Sequence, residues 1–189
     1  EDTFRIMEEE PERLAEVKGI SEKKAREIAA QMEEKKDMRK AMIFLQQYGI
    51  STTLGVKIYN QYGNNIYQVI KENPYQMADD INGVGFRIAD EIASKVGIHT
   101  DSDYRIRCGL LYVLQQAMSE GHVFLPKEIL EKRTVDLLGV SQEAVEKHIM
   151  DLAVDRKLVA KETGGRVCVY GAQAYYVELN TAKMLHDLN

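Results

Sequence analysis

The sequence predicts a mainly α-helical protein with a small β-hairpin in its last third. Apolar residues recur at helical spacing from Thr3 to Gly121. A glycine-centred pattern occurs three times within this helical part. Two short β-like runs, Leu158–Glu162 and Val167–Tyr170, flank a glycine pair and indicate the hairpin.

Composition places the chain among ordinary globular proteins. It has 189 residues, 44% of them hydrophobic, which is enough for a packed core in one or two domains. With 25 basic and 30 acidic residues the net charge is −5, so a generally basic nucleic-acid coat is excluded and any such contact must be local. Cys108 and Cys168 show no CxxC spacing, so we expect reduced thiols rather than a zinc site or a disulfide framework.

Neither a membrane span nor a secretory leader is predicted. The longest apolar stretches, such as Cys108–Leu114, are far shorter than the roughly 20 residues that cross a bilayer. The acidic run Glu8–Glu10 is unlike the basic start of a signal peptide. We therefore expect a cytoplasmic protein.

The threefold repeat is centred on Gly19, Gly49 and Gly83. An aliphatic residue follows each glycine, a small residue comes next, Ala or Gly stands six residues after the glycine, and Ile stands nine after it. The matched residues are Ile20, Ile50 and Val84; Ser21, Ser51 and Gly85; Ala25, Gly55 and Ala89; and Ile28, Ile58 and Ile92. This pattern is typical of a helix, a tight turn and a second helix packed closely on the first, a helix-hairpin-helix.

Such a turn predicts an anion site. Backbone N–H groups at the start of the second helix have no intrahelical partner, and the helix dipole favours negative charge there. We expected the small residue after the aliphatic one to serve both the turn conformation and a close approach of the ligand. The candidate phosphate-binding residues are Gly19, Ser21, Lys23, Lys24, Gly49, Ser51, Thr52, Gly83, Gly85 and Arg87. The third and first hairpins are the better candidates, although Glu22 opposes the first, and the uncharged second turn is compatible with packing alone.

Beyond the repeats the pattern resembles a winged helix. A helix from Asp103 to Glu120 stops at Gly121, Pro126 opens a helix through Leu138, and Ser141 opens another through Val154. The β-hairpin follows, and a last helix covers Ala172–Leu188. We predict two domains, a helix-hairpin-helix region over 1–100 and a winged-helix-like module with a linking helix over 101–189.

The would-be recognition helix of this module has an unsuitable outer face. It buries Val145, Ile149, Leu152 and Ala153 and leaves outside Gln142, Glu143, Glu146, Lys147, Asp151 and Asp155. A mostly acidic face does not suit groove reading, which uses cations and amides. We expect this helix to pack against protein, with Lys157, Lys161 and Arg166 as the only candidate nucleic-acid contacts of the module.

Catalytic motifs find little support. Gly83-Val84-Gly85 begins like a dinucleotide-binding GxGxxG but lacks the third glycine and a preceding strand, and no GxxxxGK[ST] loop occurs. The four histidines lie too far apart for a zinc motif. The carboxylate pairs Asp79-Asp80 and Asp90-Glu91 leave a metal-dependent nuclease as a third, lower-ranked hypothesis. No catalytic or metal-binding residue is predicted.

The sequence resembles a known family, the long-form RecD-like helicases of the RecD/TraA type. These are superfamily-one DNA helicases related to the exodeoxyribonuclease V alpha subunit. The resemblance covers nearly the whole chain, and the block Gly83-Val84-Gly85-Phe86 is its most specific part. Other matching stretches begin at Glu10, Val17, Phe44, Gly49, Glu72, Ala78, Arg105, Gly109 and Gly121. The resemblance implies an N-terminal accessory region in front of an ATP-driven 5′-to-3′ motor, with DNA and the motor domains as partners.

The sequence departs from the family because the motor, with its ATP-binding loop, is not in it. The helical patterns at both chain ends look interrupted, so we expect a region of a longer protein, with no cofactor in this chain and ATP and Mg²⁺ in the motor domains. Ser21 also stands where a second glycine is common. The resulting hypothesis is a non-catalytic region that grips the phosphate backbone of single-stranded, forked or duplex DNA without sequence specificity. The alternative is a scaffold that docks on the motor or on a DNA-repair partner.

Overall fold

The computed structural model describes residues 11–188, so the helical pattern predicted over residues 3–10 and the acidic run Glu8–Glu10 lie outside the described residues. The described chain is mainly helical with one small antiparallel sheet, as the sequence predicts. The α-helices are α1 (Glu22–Gln47), α2 (Thr52–Tyr62), α3 (Ile66–Glu72), α4 (Gln76–Asp80), α5 (Phe86–Val96), α6 (Asp103–Ser119), α7 (Lys127–Leu138), α8 (Gln142–Val154) and α9 (Ala172–Asp187). The strands are β1 (Phe124–Pro126), β2 (Leu158–Thr163) and β3 (Arg166–Gly171), and short 3-10 helices cover Pro11–Glu16 and Gly63–Asn65.

Two compact units divide between Ile70 and Lys71. This division differs from the predicted domain boundary between residues 100 and 101. Compact units are not the same as domains, so the predicted domain boundary stays a prediction. The third hairpin falls in the second unit because Phe86, Ala89 and Ala93 of α5 belong to the same buried cluster as the later helices. Hydrophobic packing therefore joins the third repeat to the region that follows it.

Each of the three repeats folds as a helix, a turn and a second helix. The central glycines of all three turns have positive φ, between +80° and +106°. Ile50 and Val84 are buried between their helices, and Ile20 is half-buried. The small residues Ala25, Gly55 and Ala89 are buried as the spacing predicts, and Ile58 and Ile92 beside them are almost fully buried.

The core of the second unit lies mainly between the third hairpin, α6, α7 and α8. α6 contributes its predicted stripe of Ile106, Leu110, Val113, Leu114 and Ala117, all buried. The helix ends as predicted, with Gly121 at φ +92° and the His122 N–H donating to the Ala117 carbonyl at 2.9 Å. Because its buried stripe packs in the core, α6 is the central helix of the unit.

The sheet contains the predicted hairpin and one further strand. β2 and β3 pair antiparallel around a two-residue Gly164–Gly165 turn. β1 pairs with the other edge of β3, with Leu125 opposite Val169, so the strand order is β1-β3-β2. The sequence analysis missed β1 because three residues are too few to show an alternating pattern.

The structure also shows the surroundings of the cysteines and of His148 and the lengths of the apolar helices. Both cysteines are free, Cys168 buried and Cys108 half-buried. His148 is buried, and its ring nitrogens lie 2.6 Å from the Ala144 carbonyl and 3.0 Å from Asp103 Oδ1, so it is a satisfied core histidine. No helix in the described part of the chain is long and apolar enough to cross a membrane.

Candidate nucleic-acid interface

The third hairpin is formed by α4, the turn 81–85 and α5. Gly83 has φ +106°, a value that side chains other than hydrogen strongly disfavour. The turn closes through a hydrogen bond from the Val84 N–H to the Ile81 carbonyl at 3.1 Å. Ile81 and Val84 are both buried, so the turn is anchored by its apolar residues and presents its backbone outward.

The N-terminus of α5 is the least capped of the three hairpin helices. Gly85 occupies the N-cap position and offers no side-chain hydrogen bond to the first turn. In the first and second hairpins, Ser21 Oγ accepts from the Lys24 N–H at 3.3 Å and Ser51 Oγ accepts from the Leu54 N–H at 3.4 Å. The first-turn N–H groups of α5 therefore keep more capacity for an external anion, beside the positive end of the helix dipole.

Arg87 adds a cation to the same helix end. It is exposed in the first turn of α5, and its guanidinium carbon lies 6.0 Å from the centre of the Tyr112 ring. Phe86 beside it is buried and stacks on the same ring, with centroids 5.2 Å apart. The exposed charge and the uncapped N–H groups thus lie within one helical turn of each other.

Gly85 does not have the role in the turn conformation that the sequence predicts. Gly85 has φ −100° and ψ 176°, an extended conformation open to any residue, and the positive φ belongs to Gly83. A Cβ on Gly85 would meet no atom within 4 Å, so no packing within the protein requires a glycine there. What Gly85 provides is an open space in front of the α5 N-terminus.

The first and second hairpins present their candidate residues at opposite ends of α1. This helix has 26 residues and is about 39 Å long at a rise of 1.5 Å per residue. Lys23 and Lys24 are exposed at its start, where Glu22 pairs with Arg26 at 3.5 Å. Two turns so far apart do not combine into one binding site.

The second hairpin is specialised for close packing. Its turn residues Gly49, Ser51 and Thr52 are exposed. A Cβ on Gly55 would lie 3.0 Å from Met42 Sδ, so α1 and α2 pack closely there and a larger residue requires the Met42 side chain to shift. No cation lies in the first turn of α2, from Thr52 to Gly55, which agrees with the expectation that this turn suits packing.

The outer face of α8 carries the acidic character that the sequence predicts. Val145, Ile149 and Leu152 are buried, and Ala153 is half-buried. On the outer face, Glu146 pairs with Lys127, and Asp155 just beyond the helix pairs with Arg107. These cations are engaged by protein carboxylates, so the face offers little to a phosphate backbone.

The carboxylates proposed for a nuclease are held apart by separate partners. Asp90 binds Arg105 and Tyr75, Asp79 pairs with Lys157 at 3.3 Å, and Glu91 pairs with Lys95 at 2.9 Å. Asp80 accepts a hydrogen bond from Gln76 at 3.2 Å. Within residues 11–188 no group of three or more His, Cys, Asp or Glu side chains is arranged to hold a metal ion.

Sequence reasoning missed two residues that shape this region. Arg105 ties α6 to α5 through Asp90, and Tyr112 forms a wall beside the third turn. Arg105 and Asp90 are 15 residues apart on different helices, so no periodicity pairs them. Tyr112 belongs to a stretch that carries the family resemblance. Its helical spacing from Cys108 and Leu111 is the sequence feature that could have placed it on the same face of α6.

These features define a helix-hairpin-helix protein in which the third hairpin is the best candidate for an anion site. Residues 34–124 match the family model described as the ATP-dependent RecD2 DNA helicase HHH domain. The matched segment begins inside α1, contains the turns of the second and third hairpins and leaves the first turn outside. The ATP-dependent RecD2 DNA helicase of Deinococcus radiodurans is 24% identical over 139 residues, which are 73% of this chain and 19% of that protein.

The two matches confirm the resemblance that the sequence carries, and the chain is similar to a RecD-like helicase over most of its length. It spans about a fifth (19%) of the length of the curated relative that it matches.

Proposed function

We propose that this chain is a DNA-binding region of a RecD-like helicase and that it holds the phosphate backbone without sequence specificity. One observation carries the proposal: within the segment that matches the HHH domain, the N-terminus of α5 is uncapped at Gly85 and is flanked by the exposed cation Arg87. Backbone N–H groups at a helix start bind phosphate oxygens well. They contact no base edge, so the grip is the same on any sequence.

The acidic balance of the chain sets the expected strength of this grip. With a net charge of −5, attraction to DNA comes only from local sites such as the third hairpin, helped by Lys23 and Lys24 at the first. The first and second turns lie at opposite ends of α1 and act as separate contacts. We therefore expect weak binding with a small number of neutralised phosphates.

In this proposal, ATP-dependent chemistry belongs to the motor domains of a longer protein. The 189 residues contain no GxxxxGK[ST] loop, so ATP and Mg²⁺ would act in motor domains outside this sequence, with this region positioning the strand for them. Those motor domains are a second proposed partner. A helicase working on DNA in a bacterium would be cytoplasmic, with repair or recombination as its setting.

The second part of the chain is proposed to be a winged-helix-like module. The order α6, β1, α7, α8, β2 and β3, with a three-stranded antiparallel sheet, supports this assignment. The acidic outer face of α8 favours docking on protein over reading of bases. DNA contact by this module, if any, falls to Arg166, Lys157 and Lys161.

A scaffold function is the alternative, and α9 favours it. Only Ala174 of this helix is buried, and Val177, Met184 and Leu185 are among its exposed apolar residues. Exposed apolar residues in such number on one helix are typical of a surface that contacts protein. This observation is compatible with DNA binding elsewhere in the same chain.

Salt dependence of binding separates the two functions. If two or three phosphates are neutralised, the logarithm of the association constant for duplex DNA should fall against the logarithm of salt concentration with a slope of about −2 to −3. Fluorescence anisotropy with duplexes of unrelated sequence gives the slope and the sequence tolerance together. A slope near zero, or binding to one sequence alone, contradicts the phosphate grip.

A further inference from the structure

A cleft of about 350 Å³ opens between the third hairpin and one face of α6. One wall is the turn over residues 81–86. The other wall consists of Cys108, Leu111, Tyr112 and Gln115, which stand at the i, i+3, i+4 and i+7 positions of one helix face. A cleft of this size is within the range that small organic ligands occupy.

The lining combines a flat aromatic ring with two amide side chains. Tyr112 contributes the ring, and Leu111 adds apolar surface beside it. Asn82 and Gln115 contribute amides that both donate and accept, and neither is hydrogen-bonded to another residue in the described part of the chain. A nucleobase has a planar apolar face and an edge of donors and acceptors, which is the complement of this lining.

The cleft adjoins the proposed phosphate site directly. Gly85 and Phe86 line the cleft and also form the start of α5. Because a Cβ on Gly85 would meet no atom within 4 Å, the route from the helix end into the cleft is open. A nucleotide whose phosphate lies at the α5 N-terminus has the entrance of the cleft within reach of its base.

We propose that this cleft binds a base of single-stranded DNA, next to the phosphate held by the third hairpin. The inference rests on the proposed function, because the phosphate contact brings the base to the cleft. In a duplex the bases are stacked and their pairing edges are occupied, so only an unpaired strand can place one there. The inference thus selects single-stranded DNA, or the unpaired part of a fork, as the ligand.

A second, smaller cleft extends the path along α6. It has a volume of about 180 Å³ and shares Asp79, Cys108 and Leu111 with the first. Its far end carries the exposed ring of Tyr104 with the cations Arg107 and Lys157. Tyr104 and Tyr112 are separated by about 12 Å along the helix, so aromatic rings stand at both ends of the path, as in grooves that bind single strands.

The carboxylates of this path are already paired. Lys157 Nζ lies 3.3 Å from Asp79 Oδ2, and Arg107 donates to Asp155. The Lys157–Asp79 pair is about half exposed, so it contributes little to stability and opens at low cost when a phosphate approaches. The path therefore offers Lys157 to an approaching phosphate, and opening its pair leaves the half-exposed Asp79, not a buried carboxylate, without a partner.

An abasic strand tests the base contact without changing the protein. Oligothymidine and an abasic oligonucleotide of equal length carry the same phosphates, and only the first carries bases. We expect the 189-residue chain to bind the abasic strand at least about five-fold more weakly than oligothymidine at low salt. A five-fold difference is the low end of the effect expected for the loss of one stacked base. Equal affinity for the two strands overturns the base site and leaves the phosphate grip intact. Failure to bind either strand while duplex DNA still binds overturns this inference alone, and failure to bind duplex DNA as well overturns the proposed function with it.

Variants at Tyr112 assign the base to this cleft. Tyr112→Ala should remove most of the difference between the two strands, whereas Tyr112→Phe keeps the ring and should preserve it. Tyr176→Ala removes an exposed tyrosine of α9 and serves as the control that changes nothing. Because Tyr112 packs on Phe86, circular dichroism must show equal folded fractions, and Gln115→Ala at an exposed position is the second variant if Tyr112→Ala is unfolded. If folded Tyr112→Ala, or Gln115→Ala in its place, leaves the difference unchanged, the base does not lie in this cleft.

Discussion

Arg105 of α6 and Asp90 of α5 form a two-pronged ion pair, in which Nε donates to Oδ1 at 2.7 Å and Nη2 donates to Oδ2 at 3.2 Å. The Tyr75 hydroxyl donates to the same Oδ1 at 2.7 Å. Nη1 of Arg105 also donates to the carbonyl oxygens of Thr100 and Leu138, both at 2.8 Å. The third hairpin is therefore fixed to the helices after it, and a site made of backbone N–H groups needs such a frame because its directions must be set in advance.

Loss of this ion pair should destabilise the second unit. Arg105→Ala leaves the Asp90 carboxylate largely buried without its cation and removes the donor to two carbonyls. We expect the free energy of unfolding to fall by about 3 kcal/mol, measured by urea denaturation followed by circular dichroism.

Lys95→Ala is the matched control for Arg105→Ala. Lys95 pairs with Glu91 at 2.9 Å on the exposed side of α5, the helix that carries Asp90, so its removal should cost less than about 1 kcal/mol. Equal effects of the two substitutions would show that the Arg105–Asp90 pair contributes no more than a surface pair.

Alkaline pH should weaken the second unit through Cys108. Burial raises the pKa of the Cys108 thiol from an ordinary 9.0 to about 12. The folded state thus keeps this proton to higher pH than the unfolded chain, so the thiol's contribution is complete below about pH 9 and is lost as the pH rises towards 12. The pKa of Tyr75 is also raised, first by burial and then by its hydrogen bond to Asp90, which adds to the loss.

Urea denaturation at neutral and at alkaline pH checks this prediction. Between pH 9 and pH 12 the free energy of unfolding should fall more steeply for the natural chain than for Cys108→Ala. The slopes with pH are compared rather than the absolute values, because the substitution also removes packing. Parallel curves for the two proteins would show that Cys108 does not titrate differently in the folded state.

A side chain should destabilise the third turn more at Gly83 than at Gly85. Gly83→Ala forces a Cβ onto a residue at φ +106° and should lower the free energy of unfolding by about 1–2 kcal/mol. Gly85→Ala, at φ −100° and with open space around it, should cost less than about 1 kcal/mol. Thermal unfolding measures both, and a larger loss at Gly85 would contradict the assignment of the strained position to Gly83.

Much of the helical architecture could be predicted because local chemistry determines it. Gly19, Gly49 and Gly83 were found because a positive φ selects glycine, and the buried aliphatic residue after each gives a fixed spacing. β1 was missed because its three residues form a strand only by pairing with β3. The Arg105–Asp90 pair and the place of the third hairpin in the second unit were not predicted for the same reason. Both depend on contacts between residues that lie far apart in the sequence.

The sequence predicts which residues of the third turn lie together but not the conformation of each. The repeat identified Gly83, Gly85 and Arg87, and the structure shows them at one helix end. The part given to Gly85 in the turn conformation was wrong, because the sequence does not say which glycine of a Gly-Val-Gly turn has the positive φ. The cleft beside Tyr112 was not predicted because its two walls are lined by residues more than twenty positions apart in sequence.

The charge of Arg87 gives the last prediction, which compares two equal charge reversals. Arg87→Glu places a carboxylate beside the uncapped α5 N-terminus and should weaken DNA binding about ten-fold or more, with the salt slope reduced by about 1. Lys147→Glu makes the same change on the acidic face of α8 and should alter the affinity by less than about two-fold. Both side chains are exposed, so both variants should fold, and fluorescence anisotropy over a series of salt concentrations measures the affinities and slopes. A greater loss for Lys147→Glu than for Arg87→Glu at equal stability would move the proposed DNA site from the third hairpin to α8.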